Sequence, residues 1–175
     1  MGIEIERKFL VLIDKLPPLK GGERLIQGYL REESPQIRFR IIGDSVIITI
    51  KSPLGHGTRF EFEAEKGSVS VQEQASLKEL ALYPVIEKVR HRIPYAGLVW
   101  EVDVYQGANL GLMTVDVELP ALDYPLVFPP WVDAQAEVTQ DPRYFNTHLA
   151  QYPYSTWAEG PSSYGGFGNF PSECV

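Results

Sequence analysis

Eight short segments with a two-residue hydrophobic period, only two segments with helical end signals, and charges held to one parity of the strands predict a mainly β (α+β) fold. Eight strands with two helices imply an antiparallel barrel with flanking helices rather than βαβ units.

The elements follow in chain order. Strands are expected at about 2 to 11, 24 to 32, 36 to 42, 45 to 51 and 58 to 65, with Gly55-His56-Gly57 as a hairpin turn between the last two. Ser70-Val71-Gln72-Glu73 matches a capping box that opens a helix through about Leu82, and Pro84 stops it. Three more strands are expected at about 86 to 93, 99 to 105 and 113 to 119. Asp141 is an N-cap followed by Pro142 at the first helical position, which predicts a second helix through about Tyr152 with Phe145 and Leu149 on one face. The domain therefore spans 1–152. Residues 153–175 hold four Gly, three Pro and four Ser with no Lys, Arg or His, so they read as a tail without regular structure. Its aromatics, Tyr154, Trp157, Tyr164, Phe167 and Phe170, are unusual for a disordered segment and leave docking open.

Side chains at i, i+2 and i+4 of a strand share a face. Glu4, Glu6 and Lys8 thus project opposite to Ile5 and Phe9. The pattern recurs in Arg38 and Arg40, Lys51, Arg59 with Glu61 and Glu63, Lys88 with Arg90, Glu101 with Asp103, and Asp116 with Glu118. Apolar β-branched and aromatic residues alternate with them and suit packing. Closing such a sheet makes a lumen lined by both signs of charge, which is costly unless water, ions or a ligand fill it. The fold is then a binding tunnel for something multiply charged.

At 175 residues the chain suits one domain with a substantial core. Its longest apolar runs are strand-like, so no membrane span is expected, and the cytoplasm is the expected compartment. The single cysteine, Cys174, excludes an internal disulfide framework. A net charge of −7 weighs against nucleic acid as partner. His56, His91 and His148 lack metal-ligand spacing, so zinc is not expected.

The motifs EIERK (4–8), GYL (28–30), RFR (38–40), IKS (50–52), RFEFE (59–63), EKVR (87–90), EVDVY (101–105), VDVELP (115–120) and VTQDPRYFN (138–146) together resemble the CYTH family, the bacterial branch of the triphosphate tunnel metalloenzymes. The resemblance runs from about residue 2 to about 150. It implies a closed eight-stranded antiparallel barrel whose tunnel binds a triphosphate with Mg²⁺ or Mn²⁺. The opening looks most like that of the short inorganic triphosphatases, and thiamine triphosphatases and class IV adenylyl cyclases are the alternatives within the family. A polyphosphate-binding barrel without turnover is the non-enzymatic alternative. The partner is then a small triphosphate, with the oligomeric state, monomer or homodimer, left open.

Roles follow from that resemblance and from chemistry. Hard divalent ions take oxygen ligands, and Glu4 and Glu6 are close enough along a strand to share one ion, with Glu118 as third carboxylate and Asp116 beside it. Lys8, Arg38, Arg40, Lys88 and Arg90 are the implied phosphate clamps, joined by Arg59. Arg92 is expected beyond the tunnel mouth. Glu61, Glu63, Glu101 and Asp103 would orient these cations or a water. Lys51 and Tyr29 match a pair implied to act near the reacting phosphate. Pro142 and Phe145 stand where some relatives carry lysines, leaving Arg143 as the substitute cation.

Overall fold

The computed structural model describes residues 5–55 and 58–157, without the side chains of 53–59. Glu4, the Arg59 side chain, the turn at 56–57, and Tyr164, Phe167, Phe170 and Cys174 lie outside that description. Strands β1 (Ile5–Val11), β2 (Glu23–Arg31), β3 (Gln36–Ile42), β4 (Ser45–Gly55), β5 (Thr58–Lys66), β6 (Ile86–Tyr95), β7 (Leu98–Tyr105) and β8 (Met113–Leu119) are the eight expected from periodicity. A ninth, β9 (Val132–Glu137), joins them. All pair antiparallel in one sheet of order β5-β4-β3-β2-β6-β7-β8-β1-β9.

Two expectations change. The pairing is a nine-stranded sheet with β5 and β9 as its edges, and among the described residues no hydrogen bonding joins them to close an eight-stranded barrel. The sequence of β9, VDAQAE, is rich in residues that disfavour strands. It is extended because it pairs with β1 across a register shift at Phe9/Leu10, a contact invisible to local pattern. The second helix is also interrupted. Pro142–Tyr144 forms a 3-10 turn, Phe145 is extended (φ −74°, ψ 138°), and only Asn146–Gln151 is α-helical (α2). Phe145 closes the first turn by donating its N–H to the Pro142 carbonyl and opens the next by accepting from Leu149 N–H at 2.9 Å.

The first helix, α1 (Val71–Glu79), carries the capping box. Ser70 Oγ accepts from Glu73 N–H at 3.2 Å and Glu73 Oε2 accepts from Ser70 N–H at 2.8 Å. It ends short of Leu82, whose N–H is taken by the Tyr29 carbonyl at 2.8 Å.

Strand parity separates the two faces as expected. Phe9, Val11, Trp100, Val102, Val104, Val115, Val117 and Val132 form one outer core. Ile26, Phe39, Ile41 and Val46 form a second with Val69, against which Leu77 of α1 packs. Gly28 is needed there, since a Cβ would stand 2.3 Å from the Phe39 ring. A third cluster joins Ile86, Tyr105 and Leu112 to Leu149 and Ala150 of α2 and to Tyr144, Tyr154 and Trp157. Burying these faces leaves the charged parity on the inside of the sheet.

Candidate active site

The charged face lines a cavity of about 480 Å³, walled by β1, β2, β3, β4, β6 and β8 and by residues 144–147. A second cavity of about 510 Å³ adjoins it, lined by Glu6, Glu101, Asp116, Glu118 and Tyr124 among others. Glu6 and Asp116 border both.

The acids come together because β1 pairs β8 with Glu6 opposite Glu118 and Lys8 opposite Asp116. Like charges directly across a ladder repel. Glu6 is open to the cavities yet enclosed by protein, and burial, then the charge of Asp116, pushes its carboxyl above the ordinary glutamate range. Asp116 is buried, with Oδ1 2.6 Å from Lys8 Nζ but outside hydrogen-bond geometry. Burial is the largest single influence and disfavours the Lys8 ammonium, but Asp116, Tyr105 and Asp103 together outweigh it and hold the lysine well above its usual value. Among the described residues no three His, Cys, Asp or Glu side chains already converge as a metal-binding group, and Glu4 is outside them. The donor set is nevertheless all carboxylate, and its repulsion is what a hard divalent cation relieves.

Beside these acids, on the strands next to β8, β6 and β7 form a buried ion network. Asp103, fully buried, receives Lys88 Nζ and two bonds from Arg90, Nε to Oδ1 and Nη2 to Oδ2, each at 2.7 Å. Arg90 also donates to Glu101 and reaches Asp116 Oδ2 at 3.3 Å. Burial opposes the Asp103 charge, but Lys88 and Arg90 hold its carboxyl far below the usual aspartate range. Burial, with Arg90 nearby, lowers the Lys88 amine. Burial likewise opposes the Arg90 charge, yet its bonds to Asp103 raise it. Tyr105 lies under Lys88 Nζ, 5.5 Å from ring centre to nitrogen. Arg92, expected beyond the mouth, lines the cavity rim, bound to Glu23 at 3.1 Å and Glu101 at 3.0 Å.

On β3 the cations are differently placed. Among the described residues Arg38 comes no nearer a carboxylate than 4.0 Å, to Glu61, and its buried Nε has no hydrogen-bond partner. Burial and then the neighbouring Arg40 lower its affinity for a proton. Arg40 lines the same cavity and forms no ion pair among the described residues. A desolvated Arg38 guanidinium with an unmet donor, beside a second cation at Arg40, is prepared for an anion.

Lys51 and Tyr29 both reach this cavity. Lys51 sits opposite Glu61 on β5, with Nζ 2.9 Å from its carboxylate. Tyr29 is buried on β2 opposite Arg38, its hydroxyl accepting from Gln27 Nε2 at 2.6 Å, and burial raises it above the usual phenol range. Glu63 accepts from the buried Thr49 hydroxyl at 2.9 Å. Arg143 is not on the cavity wall. It pairs with Asp141 at 2.7 Å and lies over the Tyr144 and Trp157 rings. Gln27, Tyr144, Asn146 and Thr147 were not foreseen, whereas Phe145 was named as standing where some relatives carry lysines. Gln27 shares the parity of Tyr29 in LIQGYL, a signal sufficient to find it, whereas residues 144–147 arrive by tertiary folding alone.

No family model matches the chain. An inorganic triphosphatase of Acetivibrio thermocellus is 37% identical over 161 residues, 91% of this chain and 100% of the relative. This chain belongs to the inorganic triphosphatases of the CYTH family. A second member, from Nitrosomonas europaea, is 36% identical over 153 residues, covering 84% of this chain and 96% of that one. The solved inorganic triphosphatase NE1496 superposes with a TM-score of 0.62 at 33% identity, over 86% of this chain and 95% of that one.

Proposed function

We propose that this protein is a hydrolase that cleaves inorganic triphosphate, tripolyphosphate, to pyrophosphate and orthophosphate in the cationic cavity. The observation that carries the reading is the pair Arg38 and Arg40, on one cavity wall with no carboxylate among the described residues nearer than the 4.0 Å between Glu61 and Arg38, and sharing that cavity with the acids Glu6 and Asp116. The relatives named above as inorganic triphosphatases support it.

Arg38 and Arg40 would hold phosphate oxygens through planar forks, with Lys8, Lys88 and Arg90 adding charge from a network already neutralised by Asp103 and Asp116. Arg59 would extend this set on β5. Glu4, Glu6 and Glu118, with Asp116, would hold Mg²⁺ or Mn²⁺, which when bound neutralises phosphate charge and orders the substrate. Lys51, kept in place by Glu61, and Tyr29, kept by Gln27, would position the attacking water. Phosphoryl transfer asks mainly for such alignment and charge compensation. Residues 144–147 would complete the tunnel across the open side of the sheet.

The reading is tested by offering tripolyphosphate, thiamine triphosphate and ATP with Mg²⁺ or Mn²⁺ to the wild type and to Glu6→Gln. Orthophosphate from tripolyphosphate, reduced in Glu6→Gln, is expected. Cyclic AMP and pyrophosphate from ATP would replace the reading with a cyclase.

A further inference from the structure

Residues 144–147 form part of the cavity wall, yet they come from a three-residue 3-10 turn and a six-residue helix. Isolated helices shorter than about 12–15 residues are marginal in water, so their position must be set from outside. Two anchors lie in the sheet. Tyr105 donates its hydroxyl to Asn146 Oδ1 at 3.1 Å, and Leu149 and Ala150 are buried against Ile86, Tyr105 and Leu112.

The third anchor comes from the chain beyond α2. Asn109, buried in the turn between β7 and β8, donates Nδ2 to the Leu149 carbonyl at 3.3 Å and accepts at Oδ1 from the Tyr154 N–H at 2.8 Å. Tyr154–Thr156 then make a 3-10 turn that returns Trp157 toward the cavity segment. The indole meets the Tyr144 ring edge-on at 5.3 Å and the Tyr154 ring at 5.0 Å, and its Nε1 donates to the Tyr152 carbonyl at 3.1 Å. Tyr144 therefore has one side on the cavity wall and the other against Trp157.

We infer that residues 153–157 form a clasp that sets the cavity wall at 144–147, with Trp157 a positioning residue that acts on triphosphate binding through Tyr144. The inference rests on the triphosphate reading of this cavity. Edge-to-face ring contacts are directional as well as adhesive, so loss of the indole removes one orienting contact from Tyr144 while the sheet and its ion network stay intact. A displaced wall changes how well the ligand is held rather than the reacting groups, which lie on β2 and β4.

The test uses the full chain with Mg²⁺ and tripolyphosphate, comparing wild type, Trp157→Ala, Trp157→Leu and Trp157→Phe. Ala and Leu are expected to raise KM roughly tenfold, as loss of one such ring contact implies, with kcat within about twofold and the main unfolding transition retained. Phe, which restores a ring edge, is expected to recover most of the affinity. Leu keeps apolar bulk and serves if Ala does not fold. Wild-type KM in Ala and Leu, or a loss carried by kcat alone, would overturn the inference. Calorimetric titration of tripolyphosphate separates the two readings. Binding without hydrolysis in the wild type overturns the proposed reaction but leaves the clasp to be judged by the weakened binding of Trp157→Ala. No binding in the wild type removes both.

Discussion

Arg38 and Arg90 carry the same charge on the same face, but their surroundings give them different work. Arg90 is bound by Asp103 and Glu101, whereas Arg38 Nε has no partner. Arg38→Gln should therefore act on substrate binding, raising KM for tripolyphosphate with little loss of fold. Lys51→Ala should instead lower kcat by roughly 10²- to 10⁴-fold with a smaller change in KM, the range for a lost proton-transfer or positioning group. Steady-state kinetics on both variants checks the contrast, and a Lys51→Ala loss seen only in KM would make it another clamp. Asp103→Asn should behave differently again, because it leaves Lys88 and Arg90 buried without their shared counter-ion, a loss of about 3–5 kcal/mol. The Asp103 carboxyl is depressed in the fold, so its contribution is present above the ordinary aspartate range and disappears only as pH falls through its lowered value. Denaturant melts should show the variant less stable at neutral pH, with the gap closing only in strong acid. The sequence showed which residues share this face, since parity is local. It did not show which cations are already neutralised, because that depends on register between strands far apart in the chain.

At the scale of the element, α1 was legible to its first residue because a capping box is a four-residue signal. Ser70→Ala should cost about 1 kcal/mol, read as a lowered melting temperature. Tripolyphosphate turnover should not change, since α1 packs on the outer core at Leu77, away from the cavity. A loss of turnover without a loss of stability would contradict this placement. The second helix was legible only in part. Asp141 does cap, accepting from Arg143 N–H at 3.1 Å, but Phe145 breaks the run because its backbone serves two adjacent turns. β9 was illegible because Asp, Gln and Ala do not favour strands, and only the edge of β1 makes them one.

At the scale of the molecule, one sheet separates a largely apolar outside from a charged inside, and the alternation that does this runs through most of the eight strands read from sequence, β2 excepted with Leu25, Gln27 and Tyr29 on the cavity face. The closure expected of an eight-stranded barrel is not in the hydrogen bonding among the described residues, and residues 144–147 add part of the cavity wall. The two cavities meet at Glu6 and Asp116, so acids and the β3 arginines Arg38 and Arg40 border a common space. The account predicts that this space aligns a metal-bound triphosphate for attack by water. The most direct measurement is a phosphorus NMR time course of tripolyphosphate with the full-length protein and Mg²⁺, with and without chelator. Pyrophosphate and orthophosphate are expected in equal amounts with Mg²⁺, and no cleavage of tripolyphosphate when the chelator is present. Undiminished tripolyphosphate with folded protein and Mg²⁺, or cleavage at the same rate in chelator, would contradict it.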